Sequence, residues 1–234
     1  MQETIPLFPL GSTVLFPGAL LPLHIFEPRY RRLVRDLLGF PEGRQRHFGV
    51  VAIRQGWEVG GPDNVQALHT VGCTARVRRI NPHPDGRYDV IGVGTHRFEL
   101  LDVDDSSKPY LCGRVRWLLE DEAAADGGGD DAEAAILAKR VGALFAHYAG
   151  SVAQLQGSEP EGFDLPNDPV VLSYLVAATA LLTLDDRQGL LAESSTVTRL
   201  QMQARLLRRE ATIVRALHAV PVPLIELAVP RSVN

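Results

Sequence analysis

The sequence predicts an α+β protein in which a mainly antiparallel, β-rich N-terminal lobe is followed by an α-helical bundle. Up to about residue 120, short runs of Val, Ile, Leu and aromatic residues alternate with Gly, Pro, Asn and Asp, which is typical of strands joined by turns. Beyond residue 134, apolar residues recur at the three- and four-residue spacing of amphipathic helices. Because strands precede helices, the order favours α+β over an alternating parallel sheet.

The β-rich lobe contains six predicted strand segments. They are TVLF, LPLHIF, HFGVVAIR, HTVGCTARVRRI, RYDVIGVGTHRFELLDV and YLCGRVRWLLE. Residues 81–87, NPHPDGR, hold two prolines and an Asp-Gly pair between two alternating runs, which predicts a hairpin connection. Gly92 and Gly94 lack the third glycine and the following helix of a dinucleotide-binding motif, so we expect a strand with a bulge or close backbone packing there.

One helix is predicted inside this lobe, after Pro28. Its apolar face would comprise Leu33, Val34, Leu37 and Leu38. Gly39, followed by Pro41, supplies the signal that ends the helix.

The second half of the chain predicts further helices. Residues 135–155 form an amphipathic pattern, and Asp168 before Pro169 provides a preferred cap and first-turn residue. The apolar stripe of the last predicted helix, residues 196–218, consists of Val197, Leu200, Ala204, Leu207, Ala211 and Val214. The arginines of this helix, which are Arg199, Arg205, Arg208, Arg209 and Arg215, are expected to be solvated on its other faces.

These patterns divide the chain into four parts. Residues 1–119 form the β-rich lobe, and residues 120–134, which are acidic and rich in glycine, are expected to be a mobile loop. Residues 135–220 form the helical bundle, and residues 221–234 are a proline-rich tail.

Composition restricts the possible partners and the compartment. The net charge of −4 and the pI near 6.0 offer no general attraction to nucleic acid. The apolar run at residues 170–184 is shorter than a membrane-spanning helix, and the first ten residues lack the features of a secretion signal. Cys73 and Cys112 form no metal-binding pair, so we expect two reduced, buried thiols in a cytoplasmic protein.

Motifs for several classes of enzyme are missing from the sequence. It contains no phosphate-binding P-loop, no G-x-S-x-G nucleophile elbow and no H-E-x-x-H metal helix. Lys108 and Lys139, the two lysines, have no serine motif around them that would suggest a serine–lysine hydrolase. The histidines are scattered, at positions 24, 47, 69, 83, 96, 147 and 218. We therefore predict no catalytic residue, no cofactor and no metal.

The stretch LPLHIFEPRYRRLV, residues 21–34, permits two interpretations. A catalytic interpretation gathers His24, Glu27, Arg29 and Tyr30 within seven positions. The structural interpretation, which we favour, places Pro28 in the first helical turn and the Glu27 carboxylate at the positive end of the helix. Glu27 would then bind Arg31 or a strand arginine, and Tyr30 would be buried beneath the helix.

The same region carries a family resemblance. Residues 5–34, IPLFPLGSTVLFPGALLPLHIFEPRYRRLV, resemble the start of the Lon protease N-terminal domain, with its P-L-F-P-L, V-L-F-P-G and L-P-L-x-I-F-E-x-R-Y patterns. The resemblance continues through FGVVAI, VGCTARV, YDVIGVGTHRFEL, PYLCGRV and the helical LLTLDDRQGLLAESSTVTRLQMQARLL. It covers nearly the whole chain.

The resemblance implies a PUA-like N-terminal lobe, a C-terminal helical bundle and a role in recognising polypeptides. In the full protease, ATP hydrolysis and peptide cleavage belong to later domains, and this sequence ends before both. We therefore expect a stand-alone, non-enzymatic module that binds unfolded or extended polypeptides as an adaptor, a chaperone-like holder or a regulator, with a protease or chaperone as a further partner.

An extended polypeptide has two possible binding surfaces, an open β edge or an apolar groove between the lobes. The candidate binding residues are Phe8, Leu15, Phe16, Phe26 and Tyr30. The alternative is that all five belong to the core. Two other functions stay open, a hydrolase with an unrecognised site and a small-molecule sensor, and the sequence leaves the oligomeric state undetermined.

Overall fold

The computed structural model describes residues 2–40, 46–54, 67–119, 128–157 and 164–217. The chain divides into two compact units, Met1–Leu119 and Glu120–Asn234. In the described residues, the first unit contains a six-stranded sheet and the helix Pro28–Leu38, and the second unit is helical. The predicted α+β class is confirmed.

The sheet of the first unit closes on itself through its longest strand. Its strands are β1 (Gln2–Leu10), β2 (Leu20–Ile25), β3 (His47–Ala52), β4 (Val71–Pro82), β5 (Tyr88–Asp104) and β6 (Cys112–Leu118). They are ordered β2-β5-β4-β3-β1-β6, and a further pairing joins β5 to β6. The second half of β5 pairs with β6, which closes the sheet formed by β5, β4, β3, β1 and β6. The first half of β5 pairs with β2, which is therefore an edge strand outside the closed part. Among the described strands, β1 and β3 are the one pair that runs in parallel.

Strand β1 is absent from the predicted strands, and it contains prolines at positions 6 and 9, which argue against a strand with partners on both sides. The structure resolves this conflict by dividing the pairing. Residues 2–6 pair with β6 and residues 7–10 pair with β3. Each proline therefore has a partner strand on one side only. The N–H that proline lacks would lie on the other side, where no strand requires a hydrogen bond.

The predicted strand TVLF is wrong. Residues 13–16 are irregular, yet Val14, Leu15 and Phe16 are all buried. The carbonyl group of Phe16 lies against Gly94 of β5 so closely that no side chain fits between them. The β-branched and aromatic residues of this segment thus fill the core as a loop, which a strand propensity does not distinguish from a strand.

Strand β5 contains the predicted bulge and follows the predicted hairpin. Between the pairs Cys73–Arg97 and Ala75–Gly94 the register shifts, so β5 carries an extra residue. The hydroxyl of Thr74 binds Thr95 Oγ1 at 2.8 Å and accepts the N–H of His96 at 3.1 Å, which satisfies polar groups at the bulge. The hairpin turn is made by Gly86 at a φ of 79°.

Helix α1 (Pro28–Leu38) is confirmed, with Pro28 in its first turn. Its buried residues are Tyr30, Leu33, Val34 and Leu37. Leu38, predicted on the same face, is 41% exposed because the buried stripe ends one residue earlier. The hydroxyl of Tyr110 donates to the carboxylate of Asp36 at 2.7 Å, which fastens the helix to the segment before β6.

The second unit contains helices α2 (Gly128–Leu155), α3 (Pro169–Thr179), α4 (Leu184–Ala192) and α5 (Thr196–Leu217). Helix α2 begins within the predicted loop, so residues 128–134 are helical rather than irregular. Asp131 and Glu133 lie near its N-terminus, where the helix dipole favours carboxylates, and Ala134 is buried. Residues 120–127 and the predicted tail at 221–234 lie outside the described residues.

The helices pack around a shared apolar core. Its members include Val141, Phe145, Tyr148, Leu172, Val176, Leu200, Leu207 and Val214. The Asp168 carboxylate accepts the N–H groups of Val170 and Val171 at 2.8 and 3.2 Å, which confirms the predicted cap. No helix in the described ranges has both the length and the apolar content needed to cross a membrane.

Arg199 contradicts the prediction that the arginines of α5 are solvated. Its side chain is 0% exposed, whereas the other four are exposed as predicted. The guanidinium donates to Ser173 Oγ at 2.9 Å, the Glu193 carbonyl at 2.7 Å and Thr196 Oγ1 at 3.1 Å, and it lies 4.2 Å from the centre of the Tyr174 ring. It therefore links α5 to α3 and to the turn after α4.

The two cysteines differ in accessibility, although both were expected to be buried. Cys73 is fully buried in β4, and burial raises the pKa of its thiol to about 12. Cys112 is partly exposed, and its pKa is raised by burial and by the Asp104 carboxylate.

We expect N-ethylmaleimide to modify Cys112 of the native chain at pH 8, while Cys73 reacts only on unfolding, because a reagent must reach the thiol. Intact-mass measurement over time should show a single addition. The Cys112→Ser variant, as a control, should remove it. Rapid double addition to the folded chain would contradict the burial of Cys73.

Candidate functional site

A groove of about 350 Å³ lies within the first unit, where the ends of β1 and β2 meet the start of α1. Most of its lining is apolar and comprises Phe8, Pro9, Leu10, Leu23, Ile25, Phe26 and Ile53. Three polar or charged side chains, those of His24, Glu27 and Arg29, complete the surface together with Tyr30 and Gly11. The volume is at the lower end of the range found for ligand sites.

The floor of the groove is a pair of stacked aromatic rings. Phe8 and Tyr30 have ring centroids 4.1 Å apart, and the Phe48 ring lies 5.8 Å from that of Phe8. Burial raises the pKa of the Tyr30 phenol, and this effect exceeds the lowering by the nearby Arg29 charge. The phenol is therefore neutral at physiological pH. The stacked rings therefore form a fixed apolar floor.

The rim combines an exposed aromatic ring with an ion pair. Phe26 is 60% exposed, and its ring centroid lies 6.4 Å from that of His24. The Arg29 Nε donates to the Glu27 carboxylate at 2.8 Å, and the Arg29 guanidinium lies 4.7 Å from the centre of the Tyr30 ring. A large exposed aromatic side chain beside an apolar groove is typical of an interaction site.

Strand β2 extends the site along the sheet. Its pairing partner in the described sheet is β5, so one side of β2 is an edge. Leu20 and Pro22 are exposed on this strand, whereas Leu21 and Ile25 are buried. An edge of this kind offers main-chain groups to a further strand.

The structure places only three of the five predicted binding residues at the groove. Phe8, Phe26 and Tyr30 line it. Leu15 and Phe16 are 3% and 0% exposed and do not line it, so they are removed from the candidate site. A core position, the alternative for all five residues, holds for these two, and Phe8 and Tyr30 are also buried, at 8% and 6% exposure, so Phe26 is the exposed member of the five. A groove between the two lobes, as opposed to this one, stays a prediction.

The predicted junction residues lie at the start of α1, with different partners. Glu27 is the N-cap, and its carbonyl accepts the N–H of Arg31 at 2.9 Å. Its carboxylate pairs with Arg29, two positions along, and not with Arg31 or a strand arginine as predicted. The Arg31 guanidinium instead donates to the Asp85 carbonyl in the β4–β5 turn at 3.4 Å. Arg31 therefore connects helix and sheet.

Sequence reasoning missed a cluster of two histidines and one carboxylate beside the groove. The Asp89 carboxylate binds His24 Nδ1 and His83 Nε2, each at 2.7 Å. These hydrogen bonds lower the pKa of the Asp89 carboxyl group. His83 and Asp89 follow His24 by 59 and 65 positions in the sequence. Only the pairing of β2 with β5 could therefore have revealed the cluster.

Comparison with known proteins identifies the family to which the chain is similar. A family model described as the ATP-dependent protease La (LON) substrate-binding domain matches residues 4–209. Lon protease 1 of Herpetosiphon aurantiacus is 27% identical over 215 residues, which cover 92% of this chain and 25% of that protein. The Lon protease of Parabacteroides distasonis is 37% identical over 120 residues, 51% of this chain and 14% of that protein.

A solved structure gives the same result for the fold. The crystal structure of a Lon N-terminal domain protein from Xanthomonas campestris matches with a TM-score of 0.55 at 22% identity, covering 94% of this chain and 99% of that one. The chain spans about a quarter of the length of Lon protease 1, in agreement with a match to one domain. Since the family model covers most of the sequence, the chain belongs to the Lon substrate-binding domain family.

Proposed function

We propose that this chain is a non-catalytic module that binds extended or unfolded polypeptide segments in the groove beside β2, as an adaptor, a chaperone-like holder or a regulator of a protease in the cytoplasm. The observation that carries the proposal is the exposed Phe26 ring at the rim of an apolar groove, next to a strand edge. Membership of the Lon substrate-binding domain family supports it.

The proposed binding combines hydrogen bonds of the backbone with apolar contacts of the side chains. An extended segment pairs with the edge of β2 through main-chain hydrogen bonds, which are independent of sequence. Its apolar side chains enter the groove and contact Phe26 and the Phe8–Tyr30 stack. Pro22 has no N–H to donate, so the ladder on β2 is interrupted and binding stays weak enough to be reversible.

Folded proteins would bind less well by this mechanism because their strands are already paired and their apolar side chains are already buried. The rim offers one positive and one negative group, which pair with each other and favour neither charge sign. The groove therefore selects for exposed apolar side chains and free backbone groups, the two properties that distinguish an unfolded chain from a folded one.

The contacts of the polar lining residues support binding over nucleophilic catalysis. The described lining contains no serine, threonine or cysteine side chain. Glu27 is paired with Arg29, and His24 with Asp89. The remaining hydroxyl is that of Tyr30, a buried and neutral phenol. The four residues of the catalytic interpretation thus lie together at the groove, but three of them are ordered by structural contacts.

We expect the chain to bind a fluorescently labelled, permanently unfolded polypeptide in anisotropy titrations, and to bind a folded control of similar charge more weakly. The Phe26→Ala variant should raise the dissociation constant for the unfolded polypeptide about 5- to 30-fold, which corresponds to the loss of an aromatic contact of about 1–2 kcal/mol. Because Phe26 is exposed, the variant should unfold at the temperature of the parent chain.

The matched control is Phe40→Ala, which removes an exposed ring just beyond α1 that does not line the groove. It should leave the dissociation constant unchanged. Equal affinity for the folded and unfolded probes, or equal binding by the parent chain and the Phe26→Ala variant, would contradict the proposal.

A further inference from the structure

We propose that His24, His83 and Asp89 form a binding site for a divalent transition metal, with Zn²⁺ as the expected ion. Two imidazole nitrogens and one carboxylate are a ligand set that Zn²⁺ accepts in open, three-ligand sites, where water fills the fourth position. The candidate ligand atoms of the three side chains all lie within 4.8 Å of one another. Ca²⁺ and Mg²⁺ prefer oxygen ligands and are disfavoured here.

The backbone holds the three ligands in fixed positions. His24 of β2 and Asp89 of β5 are direct partners in the antiparallel register. His83 follows the last residue of β4, and its N–H donates to the carbonyl of Arg87 at 2.8 Å while its own carbonyl accepts the N–H of Gly86 at 2.9 Å. The site is therefore built on paired strands and a closed hairpin, which supports a defined coordination geometry.

The side chains need little movement to accept an ion. Asp89 now separates the two imidazoles by accepting one hydrogen bond of 2.7 Å from each. In a tetrahedral zinc site, ligand atoms at bond lengths near 2.1 Å lie about 3.4 Å apart, so each contact must open by about 0.7 Å. The side chains of His24, His83 and Asp89 are 48%, 39% and 46% exposed, which leaves room for this rotation.

The binding step also moves the imidazole protons. The nitrogens that now share a proton with Asp89 must offer a lone pair to the metal, so a neutral imidazole carries its proton on the other ring nitrogen. For His24 this is Nε2, which lies 3.5 Å from the Arg87 guanidinium. Two donors facing each other repel, so Arg87, whose Nε already donates to the Asp85 carboxylate, opposes metal binding until its Nη1 moves away from His24.

The test titrates the untagged chain with Zn²⁺ alone and follows binding by calorimetry, with Co²⁺ absorption as a spectroscopic report of the ligand geometry. We expect one equivalent of Zn²⁺ to bind. His83→Ala and Asp89→Asn should each weaken binding at least about tenfold, and Arg87→Gln should strengthen it. Circular dichroism shows whether each variant is folded.

The matched control is His147→Ala, which removes an exposed histidine of α2 that belongs to the other unit. It should leave the affinity unchanged. Absence of Zn²⁺ binding, or binding that persists undiminished in folded His83→Ala, would overturn the proposal. No polypeptide is present in the measurement, so its outcome does not depend on the proposed function of the groove.

Discussion

Replacing Arg199 with alanine is expected to lower the free energy of unfolding of the helical unit by about 3–4 kcal/mol. Removing the buried side chain leaves a cavity between α3 and α5. It also leaves the Glu193 carbonyl and the Ser173 hydroxyl without a donor that now lies 2.7 and 2.9 Å away. Both losses act in the folded state alone.

Chemical denaturation followed by far-ultraviolet circular dichroism measures this effect. Arg205→Ala is the matched control, because Arg205 is exposed on the same helix, and it should change stability by at most about 0.5 kcal/mol. Arg199→Lys should be intermediate, since an ammonium retains the charge but cannot donate to three acceptors in the same fork. A loss below about 1 kcal/mol in Arg199→Ala would show that the buried contacts contribute little.

The second large effect is expected for Gly94→Ala in the first unit. A Cβ atom at this position would overlap the carbonyl oxygen of Phe16 and lie 2.8 Å from its carbonyl carbon. These are backbone atoms of a buried segment and cannot rotate away, so the loop must shift. We expect a loss of about 2–3 kcal/mol, typical of overpacking in a core.

Tryptophan fluorescence during denaturation reports this loss, because both tryptophans, at positions 57 and 117, belong to the sequence of the first unit. Gly11→Ala is the control, since a Cβ there meets no atom within 4 Å. It should be neutral within about 0.5 kcal/mol. Equal stability of the Gly94→Ala and Gly11→Ala variants would show that the residue 13–16 loop yields easily.

Local signals in the sequence were sufficient for most of the elements. Strands β2 to β6 have alternating or β-branched sequences, and the turn at Gly86 has an Asp-Gly pair that demands a positive φ. Helix α1 begins at Pro28, and α3 is capped by Asp168, as the residue types require. These features depend on neighbours a few positions away.

The errors arise where a distant partner decides the outcome. Divided pairing allows prolines in β1, and contact with Gly94 holds residues 13–16 as a buried loop. A binding partner 26 positions away makes burial of Arg199 favourable. Periodicity alone assigns a charged residue to the solvent and an apolar one to the core, and it contains no term for such contacts.

In the candidate site too, features set by neighbouring residues were predicted and features set by distant partners were not. Phe26 and Tyr30 were predicted from one short segment, and the groove includes both. Phe16 was selected for its aromatic character, but its position under β5 is a tertiary property. His24 and Asp89 come together only through strand register, so no spacing in the sequence announces them.

The divided pairing of β1 also affects the order of events during synthesis. Gln2 pairs with Arg116, and Pro6 with Cys112, so half of the first strand made must wait for the last strand of its unit. A ribosome that has released only β1 to β5 has therefore exposed a sheet with an open seam along residues 2–6. The nascent chain is vulnerable to association at that seam until β6 emerges and closes it.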